Sequence, residues 1–471
     1  MGSINLLLDI GKKGILAHQT SISVAGHNIA NVDTEGYSRQ EAVLGSTVAG
    51  GLEGTGVTVE TIRRNYDNFI ETQLASESSE YGKLSSKDSS IQKVEMLFGE
   101  TTGLGLNHDI DNFFDAMNDL SNNPEGVSER NLLKSRGEIL SNTFNSMSSN
   151  LTDMRKGLDV ELEVLVDEVN VITSSIAELN ANIASLERSG VVANDFRDQR
   201  TSLIRQLSEK IDINTYDAGD GSITIQSTGG YLLVQRNDSF DLSTRVNASN
   251  DGLLDVYVTT SGGTTTNITS SIGSGNIGGI LEARDTDIPG YLNSIDELAY
   301  SIAVEVNTLH QTGYAVDGVT TGLDFFSDLT TLSSPPAGAA ANIAVSSDVA
   351  DVNNIAAAGS LNSPGDNTVA LAMAALRNKT NVAGLPANVT FSDQYNATVT
   401  DVGIDLQSIE SQLEQKENLL NQLDMKRESV SGVSIDEEMT NLVKFQYAFE
   451  ASARLINIAD EMLATVLGMV N

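Results

Sequence analysis

NIANVDTEGYSRQ, residues 28–40, is where an evenly spaced apolar pattern stops in a run of Asn, Thr and Gly before the chain restarts as Tyr-Ser-Arg-Gln. Upstream of it, Ile4, Leu8, Gly11, Ile15, His18, Ile22, Ala25 and Ile29 follow one another by alternating steps of four and three. That spacing is the seam of a helix that faces a second helix. Asn28 and Asn31 can bond local backbone and favour a helix end, and Gly36 can take a turn that a β-carbon would hinder. Gly11, Gly14 and Gly26 each cost about 1 kcal/mol relative to Ala inside a helix, so the segment is expected to order only when a partner covers its seam.

The seam pattern returns further along. Leu158, Leu162, Leu165, Val169, Ile172, Ile176, Leu179, Ile183 and Leu186 carry it within a helical region predicted for 128–210. From about residue 400 it runs through Leu406, Ile409, Leu413, Leu420 and Leu423, with Lys416 at a core position. After a break at Ser431-Gly432 it resumes as Leu442, Phe445, Phe449, Ser452, Ile456, Ala459, Leu463, Val466 and Val470. Between these helical ends, 37–62 reads as extended, with Gly50, Gly51, Gly54 and Gly56 marking turns. At 211–272 the period shifts to two, with candidate strands at ITIQS, GYLLVQ and LLDVYV. Helix resumes from Pro289 to His310, and the low-charge run 313–365 reads as an exposed, irregular segment whose deletion from Thr330 to Asp366 should be tolerated.

The fold class expected is mainly α with a small β-rich part, an α+β arrangement of discontinuous N- and C-terminal coiled-coil helices, a long helical body and a β-rich outer region. The divisions are 1–65 with 400–471 as an axial domain, 66–210 as helical body, 211–285 as small β-rich domain, 286–312 as a returning helix and 313–399 as outer segment.

Composition removes several functions. Against 28 Lys and Arg stand 64 Asp and Glu, a net charge of −36 that repels nucleic acid and anionic membrane surfaces. The chain has no cysteine, which excludes disulfides, thiolate metal sites and cysteine nucleophiles. Residues 1–10 lack the basic region of a secretory signal, and no apolar run reaches the roughly 18 residues of a membrane helix. GSGNIG, residues 273–278, has the glycine spacing of a dinucleotide site, with Asp296 as ribose contact, but it lacks a repeated βαβ context and reads as a strand-to-helix turn. His18, His27, His108 and His310 are scattered, and no metal-ligand spacing joins them. Asp436, Glu437 and Glu438 precede an apolar helix and read as helix initiation. No catalytic group, cofactor or metal is expected, and the chain reads as no enzyme.

Asn28-Ile-Ala-Asn31, Thr34 and Gly36-Tyr-Ser-Arg-Gln40 resemble the N-terminal signature of the bacterial flagellar rod, hook and hook-associated axial proteins. SGVSIDEEMTNLVKFQYAFEASARLI, residues 431–456, resembles the partner signature at the other end. Residues 194–213, 273–314 and GLDFF at 322–326 are similar to the body of the hook-associated, junction-forming branch, although Phe449 and Ser434 depart from the common Tyr and Asn. The resemblance implies a secreted structural subunit at the hook–filament junction of the extracellular flagellum, exported unfolded. It further implies a homo-oligomeric ring between hook protein and a second junction protein, and an export chaperone. Its assembly interface would comprise Ile4, Leu8, Ile15, Ile22 and Ile29, then Asn28, Asn31, Gly36, Tyr37 and Arg39, and finally Leu442, Phe445, Phe449, Ile456, Leu463 and Val466. Tyr37 and Arg39 would meet neighbouring chains, and Ile456→Asp would block assembly while sparing the free subunit. A second junction protein or flagellin-like subunit is the alternative within the family; an acidic adhesin or phage-tail protein is the alternative outside it.

Overall fold

The computed structural model describes residues 2–48, 54–99, 105–260, 262–382 and 384–469. The expected turn glycines Gly50 and Gly51, and Val470 at the end of the last seam, lie outside them. Helix α1 (Gly2–Ala30) runs unbroken through Gly11, Gly14 and Gly26. Asn31 Nδ2 bonds the His27 carbonyl at 2.9 Å, and Gly36 turns the chain at φ +78°. An antiparallel hairpin follows, β1 (Gln40–Val48) against β2 (Gly54–Arg64), with Gln40 opposite Arg64.

The body begins with α2 (Asn68–Phe98), whose first N–H groups are capped by the Asp67 carboxylate. After α3 (Leu106–Asn122) comes α4 (Val127–Arg188), a single helix of 62 residues. It ends in a turn at Gly190, φ +85°, and α5 (Asn194–Lys210) restarts, so the helical region expected over 128–210 is two helices. The α4 seam is met by α5 and by the strands that follow, not by one long partner helix.

Those strands make two antiparallel sheets. One is the meander β3 (Ile213–Asp217), β4 (Ile223–Ser227), β5 (Leu232–Gln235) and β6 (Asp238–Ser239); the other is β7 (Leu242–Val246), β8 (Leu254–Thr259) and β9 (Thr265–Asn267). GSGNIG opens α6 (Gly275–Glu282), where a β-carbon on Gly275 would stand 2.6 Å from the Ile211 nitrogen. The glycines serve close backbone approach. A π-helical turn leads into α7 (Ile288–His310). There Asp296 accepts the N–H groups of Gly338 and Ala340 at 2.8 Å each, an anchor for passing backbone and not a ribose ligand.

The stretch from 313 onwards is irregular, as expected, but only partly exposed, since it also sends side chains into the core. It contains α8 (Ala339–Asn342) and α9 (Thr368–Ala375) and inserts Phe325 and Phe326, both fully buried, beside Phe113 at centroid distances of 5.6 and 5.3 Å. Asn307 Oδ1 accepts both phenylalanine N–H groups. His310 accepts the Ala356 N–H on Nε2 and bonds the Leu323 carbonyl through Nδ1, which makes it a structural tie. Removing 330–366 would strip Ile343, Val349 and Ile355 from the core.

Helix α10 (Phe391–Ser431) returns along α2, where Lys416 meets Glu77 at 2.6 Å, which accounts for a cation in the seam. Helix α11 (Ile435–Gly468) then lies along α1. The main apolar core is drawn from residues between Leu84 and Ile409, and among the described residues no side chain of α1, the hairpin or α11 joins it.

Candidate assembly interface

α1 and α11 form an antiparallel pair: Gly11 faces Ile456, Gly14 faces Ser452, His18 stacks on Phe445 at 6.5 Å, and Asn28 reaches Glu438. A β-carbon on Gly11 would lie 2.6 Å from Ile456 Cγ1, and one on Gly14 2.6 Å from the Ser452 hydroxyl. These glycines therefore set how closely the helices approach; their cost in helix propensity is offset by contact. Large seam residues are only partly covered. Ile4 is buried, while Leu8, Ile15, Ile22, Ile29, Leu442, Phe445, Phe449, Ile456 and Leu463 are half-buried and Val466 is exposed. Ile456 packs on α1 of its own chain, so Ile456→Asp strikes the subunit's own helix pair and does not spare it.

The stretch after α1 forms a polar clasp. Asn28 Oδ1 accepts the Tyr37 hydroxyl at 2.8 Å and the Gln40 N–H at 2.9 Å. Its amide donates to the Gln40 carbonyl at 2.9 Å and to Glu438 at 3.0 Å. Glu438, buried on α11, also takes Arg39 Nε at 2.8 Å, and Glu437 takes Arg39 Nη1 at 3.0 Å. Burial, reinforced by the negative charges of Asp195, Asp198 and Glu438, pushes the Tyr37 hydroxyl well above the usual phenol range, so it stays a donor. Tyr37 and Arg39 thus have their partners within the chain, and Asn28 ties distant elements instead of its own helix end. Sequence reading missed Glu438, whose acidity suited helix initiation equally well.

α11 also carries apolar residues on its other side, interrupted by the exposed Glu450–Arg454 pair. Met439, Val443, Tyr447, Ile458 and Met462 are exposed on the side away from α1, Tyr447 at 70% and Ile458 at 52%. A helix apolar on two sides needs two neighbours, and one side is unfilled here. Among the described residues no group of three or more His, Cys, Asp or Glu side chains could hold a metal, and no helix is long and apolar enough to cross a membrane. The fold defines a structural subunit whose helices α1 and α11 close on each other and leave apolar side chains of α11 in solvent.

Comparison with known proteins narrows that class. The family profile described as flagellar hook-associated protein FlgK helical domain matches residues 91–326, and the flagellar basal body rod FlgEFG protein C-terminal profile matches 427–469. Flagellar hook-associated protein 1 of Bacillus subtilis is 29% identical over 99% of this chain and 98% of its own length. Its counterpart in Salmonella typhimurium is 26% identical over 98% and 99%. The solved structure of the flagellar hook junction protein FlgK from Burkholderia pseudomallei superposes with a TM-score of 0.68 at 16% identity, covering 76% of this chain and all of that one. The chain belongs to the flagellar hook-associated protein FlgK family.

Proposed function

We propose that this chain is a structural component of the extracellular bacterial flagellum, at the junction of hook and filament, and that it assembles through its terminal helices. The observation that carries the assembly reading is the uncovered stripe of α11: Tyr447 and Ile458 stand in solvent on a helix already closed against α1. Burying such side chains contributes about 1.5–3 kcal/mol each, enough for a handful to hold a ring of subunits together. Copies of the same chain are the lateral partners, with hook protein below and a second junction protein above. An export chaperone would cover the stripe before assembly. In this reading α1, the hairpin and α11 are the axial domain, the body spaces it from the outer surface, and the polypeptide supplies no catalytic group.

The test places a carboxylate on the outward stripe, Ile458→Asp. The isolated subunit should keep its melting transition, because Ile458 touches no core, while hooks isolated from the mutant strain should lack junctions and filament subunits should accumulate in the medium. Normal filaments in that strain would remove this face from the assembly.

A further inference from the structure

NDFRDQR, residues 194–200, opens α5, and its side chains divide between two bodies. Arg197 forks onto Glu187 with both contacts at 2.7 Å, and Arg200 donates to Asn180 and to the Gly221 carbonyl at 2.6 and 2.8 Å. These two fasten α5 to the body. Asn194, Asp195 and Asp198, together on one side of the helix, reach the terminal module instead. Asn194 donates to the Ile62 carbonyl at 3.0 Å, and Asp195 accepts from Gln40 at 2.8 Å. Asp198 Oδ2 accepts the Ser38 N–H at 2.9 Å while its Oδ1 accepts Arg64 Nη1 at 2.7 Å.

Asp198 is only 6% exposed and grips the hairpin at both open ends, just before β1 and at the last residue of β2. Arg64 is itself held over the Tyr66 ring, 4.0 Å from its centroid, in the link to α2. Further polar contacts cross the joint, Arg64 to Thr201 at 3.5 Å, His27 to Asp195 at 3.8 Å and the Arg39 N–H to the Ser431 carbonyl at 2.8 Å, but none joins both open ends of the hairpin to α5 through one carboxylate as Asp198 does. The terminal module shares no apolar core with the body, and a cleft of about 740 Å³ lies between the 31–37 loop and α4 and α5. The chain crosses between them at 65–67 and 431–434, and single strands of backbone do not set an angle. Charge-assisted hydrogen bonds do, because they are short and directional.

We propose that Asp198 is the positioning residue of this joint, its carboxylate setting the angle at which the terminal module leaves the body. The inference goes beyond the flagellar reading and is tested without an assembled flagellum, so failure of one does not imply failure of the other.

The chain has no cysteine, so nitroxide labels can be attached at Ser46→Cys on β1 and Val171→Cys on α4, both exposed, in the full chain. The distance distribution between them, read by double electron–electron resonance, should be narrow. Asp198→Ala should broaden it about twofold, as expected of a freed hinge. Asp198→Glu, one methylene longer, should keep it narrow but displace its mean, an outcome that a merely stabilising contact would not give. Should Asp198→Ala fail to fold, Arg64→Leu, which leaves the carboxylate in place and removes one of its bonds, should broaden the distribution to a lesser degree. Distributions for Arg64→Leu and Asp198→Glu that superimpose on the parent's would overturn the assignment.

Discussion

The body and the terminal module solve the same packing problem differently. In the body, Phe113, Phe114, Phe144, Phe325, Phe326 and Phe391 are all fully enclosed within one continuous core. In the terminal module the buried apolar residues are few and mostly small, Ala17, Ala25 and Ala459 among them, and the larger seam residues stay half in solvent. The body is self-sufficient; the helix pair is held by close approach and a polar clasp, and leaves apolar area in solvent. Hydrophobic stabilisation scales with the area removed from water, so the pair should open well before the body does.

Phe326→Ala probes the body end of this contrast and should have the largest effect, about 3–5 kcal/mol, because it empties a filled aromatic cluster. The body's melting transition should fall while amide exchange in α11 is unchanged. Next, Gly11→Val forces branched carbon against Ile456 and should weaken the α1–α11 pair by about 1–3 kcal/mol. Faster exchange in both helices with an unaltered body transition is the expected result; a lowered body transition would break the comparison. Asn28→Ala removes the amide that satisfies buried Glu438 and should cost the clasp about 1–2 kcal/mol, seen in exchange at Tyr37 and Gln40.

Acid should act on both regions in the same direction. Burial lowers His18 in the pair and His310 in the body below the ordinary value of 6.5. The unfolded chain therefore takes up these protons first, so the stability associated with neutral imidazole is complete above pH 6.5 and is lost as pH falls below it. Imidazole resonances followed by NMR should titrate below 6.5 at both sites; a midpoint above it at either would reverse the sign there. The smallest effect belongs to Glu461→Gln, exposed on α11, which should stay within about 0.5 kcal/mol in every assay.

Much of this contrast was legible in the residues. The four-and-three spacing placed α1 and α11 but left open whether the helix that covers each seam lies in this chain or in another, and Lys416 in the α10 seam found its explanation in Glu77. Period-two alternation found β4, β5 and β8 but missed β3 and β7, five residues each, and β6 and β9, which are two and three residues long. The segment around Phe325 and Phe326 looked exposed because Ala, Ser and Gly are common to loops and to tight interiors alike, and composition alone does not separate them. The clasp was half visible: Asn28, Tyr37 and Arg39 stood out, but their partner Glu438 lies some 400 positions away, and nothing local distinguishes a carboxylate that will be buried from one that begins a helix.

The pairing of α1 with α11 also has a consequence in time. Residues 2–30 leave the ribosome, and any channel entered from the N-terminus, long before residues 435–468, so the body can fold while α1 waits for its other half. A chain cut short between α10 and α11 retains the residues of the body core and an α1 seam with no cover, and cannot present the outward face of α11 at all. On the assembly reading proposed above, the arrival of α11 is the step that completes the building block, and unfinished copies would be left out by their shape.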